Sequence, residues 1–128
     1  MNVKSPTRSR DKALQTLYEI EVGGHDLSEI DINLHSDKKN SFYQEILKGV
    51  IEDKNNIDEA IQKNMDRPLE RLDIIEKNSL RIALYELMNK DLDKAIIINE
   101  AIRVSKKYGS VEGYKLVNAV LDNFVRAN

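Results

Sequence analysis

Residues 72–90 read LDIIEKNSLRIALYELMNK, a stretch without glycine or proline in which Ile75, Leu80, Ile82, Ala83, Leu84 and Leu87 recur at helical spacing. An apolar stripe of this period over so many residues is a helix, and its stripe demands other elements to cover it. Glu76, Lys77, Arg81, Glu86 and Lys90 fall outside or along the edge of the stripe and are expected in water. Outward toward the C-terminus, Ala95 to Tyr108 sets Ile98, Ala101, Ile102 and Ser105 on one face and closes at Gly109, where a left-handed cap is expected. A last helix after Gly113 carries Tyr114, Val117, Val120, Leu121 and Phe124 at intervals of three and four. The Ile-rich segment 95–98 also suits a strand, but it has nothing to pair with and would leave backbone groups unsatisfied.

Toward the N-terminus, Phe42, Tyr43, Ile46, Leu47, Val50 and Ile51 form one helical run and Ile57, Ala60 and Ile61 another, read either as two helices with a short break or as one bent helix. Pro68 ends the run, because the residue before proline is pushed out of helical geometry. Residues 25–40 mix Leu27, Ile30 and Leu34 with turn-forming Asp31, Asn33 and Asp37, and predict one short helix. Ser5-Pro6 reads as a helix start, Leu14, Leu17, Tyr18 and Ile20 or Glu21 as its stripe, and Gly23-Gly24 as its stop. Arg8, Arg10 and Lys12 flank that stripe and are expected in water. The sum is an all-α chain of about six or seven helices packed as small bundles, in one domain spanning residues 1–128.

Composition removes most chemistries. The 128 residues include no cysteine, which excludes disulfides, thiolate-bound zinc and thiol nucleophiles. His25 and His35 lack metal-ligand spacing, the five glycines form no phosphate-cradling loop, and pairs such as Glu52-Asp53 and Asp58-Glu59 read as solvated helix faces. Neither catalysis nor a cofactor is expected. With no apolar run long enough for a membrane span and no secretory signal in MNVKSPTRSR, the expected location is the cytoplasm.

Charge supplies the positive signal. The net charge is −2, yet residues 1–18 and 103–115 each carry three more basic than acidic side chains, against an excess of eight acidic ones between them. Such polarity points to an anionic partner at the basic segments. Lys106-Lys107-Tyr108 and Tyr114-Lys115 interleave cations with rings on which unpaired bases stack, so single-stranded RNA is the expected ligand.

Three stretches, RSRDKALQTLY (8–18), IEKNSLRIALYEL (75–87) and AIIINEA (95–101) running on to KKYG (106–109) and VNAVLD (117–122), resemble the NusB transcription antitermination family over nearly the whole chain. The resemblance implies two small three-helix bundles and a non-catalytic role: binding the boxA element of nascent ribosomal transcripts together with NusE, a small-subunit ribosomal protein, within an RNA polymerase antitermination complex. By position it implies that Arg8, Arg10, Lys12, Lys107, Tyr108, Glu112, Tyr114, Lys115 and Leu116 serve RNA and that Tyr18 and Glu76 serve NusE. Asn99, Glu100 and Asn118 are expected in caps and interhelical hydrogen bonds. Pro6-Thr7 stands where many relatives have more arginine, and Leu116 where an aromatic residue is common. Asn118-Ala119 also resembles the RNA-binding domain of ribosomal RNA cytosine methyltransferases, whose catalysis needs a further domain, and this chain ends at Asn128. A stand-alone relative of that domain and a protein-only helical scaffold are the alternative readings.

Overall fold

The computed structural model of the chain describes residues 5–128. Among them run six α-helices and no strand: α1 (Pro6–Val22), α2 (Ser41–Glu52), α3 (Lys54–Lys63), α4 (Ile74–Asn89), α5 (Lys94–Tyr108) and α6 (Gly113–Ala127). The first three and the last three make the expected pair of small bundles, joined because α4 packs against every other helix. The buried side chains of both halves belong to one contiguous cluster, from Leu14 and Leu17 through Ile46, Leu47 and Leu84 to Val117 and Leu121.

Local chemistry sets the boundaries. Ser5 caps α1 by accepting from the Arg8 N–H at 3.1 Å, and Pro6 occupies the first helical position, where no donor is lost. Gly24 at φ 81° then turns the chain in a conformation that costs glycine little. Asn40 caps α2 from its side chain and also accepts from Ser9 Oγ at 2.6 Å, which ties the start of α2 to α1. The open alternative for residues 42–67 resolves as two helices that meet at Asp53. Asp73 and Glu76 close a reciprocal capping box at the start of α4.

Four expectations are corrected. Residues 25–40 hold two 3₁₀ turns, Leu27–Glu29 and Ile32–His35, rather than one helix, because Asp26 and Asp31 each fold back onto the N–H two residues on. The inward face of α5 is Ile97, Ala101, Val104 and Ser105, rotated from the expected one, with Ile98 and Ile102 half-buried. Gly109 caps α5 in an extended conformation (φ −101°), not a left-handed one; what it supplies is clearance, since a Cβ there would stand 2.7 Å from the Ser105 carbonyl oxygen. Arg81 and Glu86 are buried within α4, not solvated, because charged partners from other helices meet them inside.

Candidate nucleic-acid interface

The two basic segments, far apart in the chain, lie side by side. Arg8, Asp11, Gln15 and Tyr18 follow one another at three- and four-residue steps and so share a face of α1. The last two turns of α5 dock along it: Arg103 Nη2 donates to Asp11 Oδ1 at 2.8 Å, Lys107 Nζ meets Asp11 Oδ2 at 3.1 Å, and Gln15 Nε2 donates to the Tyr108 hydroxyl at 3.1 Å. Lys107 also lies 5.2 Å from the Tyr108 ring centroid, and Lys106 lies 4.5 Å from that of Tyr114 on α6. The result is an edge on which cations alternate with rings, the combination that holds a phosphate chain and its unpaired bases.

Beneath this edge Arg10 takes a different position from the one expected. It is 4% exposed, its Nε and Nη2 forked onto Glu86 at 2.9 and 2.6 Å and its Nη1 on Glu100 Oε1 at 3.0 Å. Burial disfavours its charge, but the hydrogen bonds and charges of Glu86 and Glu100 outweigh that and hold the guanidinium above its ordinary pKa. Arg10 thus does not stay in water with Arg8 and Lys12; it locks α1 to α4 and α5. Glu100 completes the lock, accepting from Thr7, Arg10 and Arg103. Burial pushes the Glu100 carboxyl up, yet the donors Arg103, Thr7 and Arg10 together bring it below the usual carboxylate range.

Other site residues distribute as follows. Arg8 and Lys12 are exposed; Lys12 pairs with Asp37 at 2.5 Å, whereas Arg8 and Lys106 make no ion pair with another described residue. Lys4 lies outside the described residues. Glu112 and Lys115 pair with each other at 2.8 Å at the start of α6. Leu116 is not brought to this edge. It lines a groove with Met65 and Arg67 near the end of α3, about 200° around α6 from Tyr114. Tyr18, 40% exposed, stands between Gln15, which bonds Tyr108, and Glu21, which pairs with Lys77 at 3.1 Å. Glu76, next to Lys77, packs so close to the start of α6 that its Oε2 would stand 2.9 Å from a Cβ on Gly113. Tyr18 and Glu76 therefore sit on adjoining elements at one end of the α1–α5 edge. Asn99 and Asn118 are exposed and make none of the expected interhelical bonds among the described residues.

In the sequence Arg103 counts only as part of the second basic segment, and Asp11 and Gln15 carry no site signal of their own. The one signal for them was shared helical phase: Arg103 and Lys107 are four apart, as are Asp11 and Gln15, but nothing local announces that the two pairs face each other.

Comparison with known proteins agrees with this architecture. The sequence model of the NusB family matches residues 7–126. The chain is 38% identical over 120 residues to the transcription antitermination protein NusB of Pseudomonas entomophila (strain L48), covering 89% of this chain and 72% of that one. It is 36% identical over 129 residues to NusB of Colwellia psychrerythraea (strain 34H / ATCC BAA-681), covering 95% and 94%. Among solved structures, T. maritima NusB superposes with a TM-score of 0.81 at 29% identity, covering 96% of this chain and 92% of that one. A chain from the crystal structure of the antitermination factors NusB and NusE in complex with dsRNA shares the fold, with a TM-score of 0.79 at 22% identity over 95% and 96% of the two chains.

Proposed function

This chain belongs to the NusB family, and from that premise we propose that it is a transcription antitermination factor that holds boxA-type single-stranded RNA along the α1–α5 edge together with NusE. The observation that carries the reading is the docking of Arg103, Lys107 and Tyr108 against Asp11 and Gln15, which gathers the two cationic segments on one face. Arg8, Lys106 and Lys107 neutralise phosphates, and Tyr108 and Tyr114 offer ring faces to bases. Lys12, Glu112 and Lys115 flank that track, Leu116 stands off it, and Arg10 serves it from below by fixing the angle at which α1 meets α5.

Tyr18 and Glu76 form the protein-binding end, where NusE adds a second surface to the same RNA. Their place beside Gln15 and Gly113 makes the two contacts continuous. The protein acts as an adaptor, by binding and not by catalysis, on nascent transcripts in the cytoplasm. Among the described residues no helix is long and apolar enough to cross a membrane.

The test is a titration with labelled boxA RNA at several salt concentrations, with and without NusE. Arg8→Ala combined with Lys106→Ala weakens binding and lowers the salt slope by roughly 1.4, two contacts at about 0.7 each for a single strand. A protein that binds NusE normally but ignores RNA is instead a helical scaffold, and unchanged affinity and slope in the double variant remove this edge as the RNA face.

A further inference from the structure

The cations on the α1–α5 edge are not idle in the free protein. Arg103, Lys107 and the buried Arg10 face Asp11, Glu100 and Glu86, three positive against three negative groups. The members of this cluster differ in what binds them. Glu86 is held by the buried fork of Arg10, and Glu100 by Thr7, Arg10 and Arg103 at once. Among the described residues Asp11, itself 13% exposed, is held by Arg103 and Lys107 alone, whose side chains are 31% and 54% exposed. One carboxylate oxygen goes to each cation, the arrangement that two oxygens of a phosphodiester would adopt between the same groups.

We propose that Arg103 and Lys107, with Arg8 one turn away on α1, form a phosphate subsite of the RNA face, and that the Asp11 carboxylate fills it in the free protein as an internal stand-in for that phosphate. The inference rests on the RNA-binding reading and deepens it. An arriving phosphate displaces Asp11, which turns into solvent beside Gln15. Arg103 then keeps its Nε bond to Glu100 while Nη2 and Nη1 address the ligand; Nη1 bonds no other described residue. Asp11 also raises the charge-holding tendency of Lys107, whose ammonium is stabilised first by the hydrogen bond to Asp11 and then by Tyr108. Competition from a tethered carboxylate lowers affinity for any polyanion. A long RNA seated on several subsites with its protein partner overcomes that competition, whereas stray phosphates do not.

The experiment measures anisotropy of a labelled single-stranded boxA RNA against wild type, Asp11→Asn, the triple variant D11N/R103Q/K107Q, and Glu19→Gln as a control for loss of one negative charge on the same helix. Asp11 is 13% exposed but both its partners reach solvent, and Glu100 keeps Thr7 and Arg10 when Arg103 is replaced, so each protein stays folded by circular dichroism, and Asp11→Ser serves as a second neutral replacement. D11N is expected to bind about three- to tenfold tighter at low salt, the scale of two released, partly exposed ion pairs. E19Q stays close to wild type, and the triple variant loses the gain. Wild-type affinity in both D11N and D11S, while Arg8→Ala still weakens binding, overturns the stand-in and leaves the RNA reading intact. A gain that survives in the triple variant overturns it too, since net charge alone would then be the cause. If none of the proteins binds RNA, both inferences fall together.

Discussion

Replacing Arg10 with alanine tests whether this residue is a structural lock or a phosphate contact. The change strands Glu86, 1% exposed, with both oxygens deprived of the fork at 2.9 and 2.6 Å, and removes one of the donors on Glu100. Leaving one member of a buried ion pair without its partner costs about 3–5 kcal/mol, a large share of the roughly 5–15 kcal/mol by which a domain of this kind is stable. At about 2–8 °C per kcal/mol, thermal unfolding followed at 222 nm shifts down by more than ~6 °C. Arg10→Met with Glu86→Gln removes the pair together and recovers much of that loss, because the desolvation of two charges no longer has to be offset. At a temperature where Arg10→Ala is still folded, its RNA salt slope stays that of wild type. A variant that melts like wild type but loses about 0.7 from the slope would refute the buried role and return Arg10 to the phosphates.

Three further outcomes follow from neighbouring features. Gly49→Ala drives a Cβ into the ring of Tyr85, so either the ring or the spacing of α2 and α4 must shift and stability falls by roughly 1–3 kcal/mol in urea titration; a neutral result would mean the ring moves freely. Because Glu100 titrates below its ordinary value of 4.5, its contribution is present above that value and lost as pH falls through the folded value, so the stability gap between wild type and Glu100→Gln narrows from pH 5 to pH 3. A gap constant over that range would show that Glu100 is not held ionised. Glu76→Gln keeps the capping box with Asp73 while removing the charge, and is expected to weaken NusE capture several-fold without changing the melting curve; undiminished capture places the partner elsewhere.

How much of this was readable beforehand depends on the range of the interaction concerned. The start of α1 at Ser5-Pro6 and the long helix in 72–90 were legible because caps and three-and-four spacing are properties of adjacent residues. Arg81 and Glu86 were misplaced for the opposite reason. Their partners are Glu21 and Asp58 for the first and Arg10 for the second, and no periodicity connects residues that distant. The rotated face of α5 has the same origin: in KAIIINEAI apolar residues lie on more than one side, and only the packing against α4 and α6 selects Ile97 over Ile98. Charge counted along the chain located both basic segments, but it concealed that Asp11, Glu86 and Glu100 neutralise three of their members across helices.

From Asn78 to Glu86 every residue of α4 is buried. A helix with no dry-side and wet-side division has no register it can slip to and no edge at which the molecule could be divided. Cutting the polypeptide at residues 64–73 would give two fragments that each lack a wall. Transplanting either bundle alone would carry an unroofed apolar surface with it. Amide protons along this segment should therefore exchange only when the whole molecule opens, with one common opening free energy.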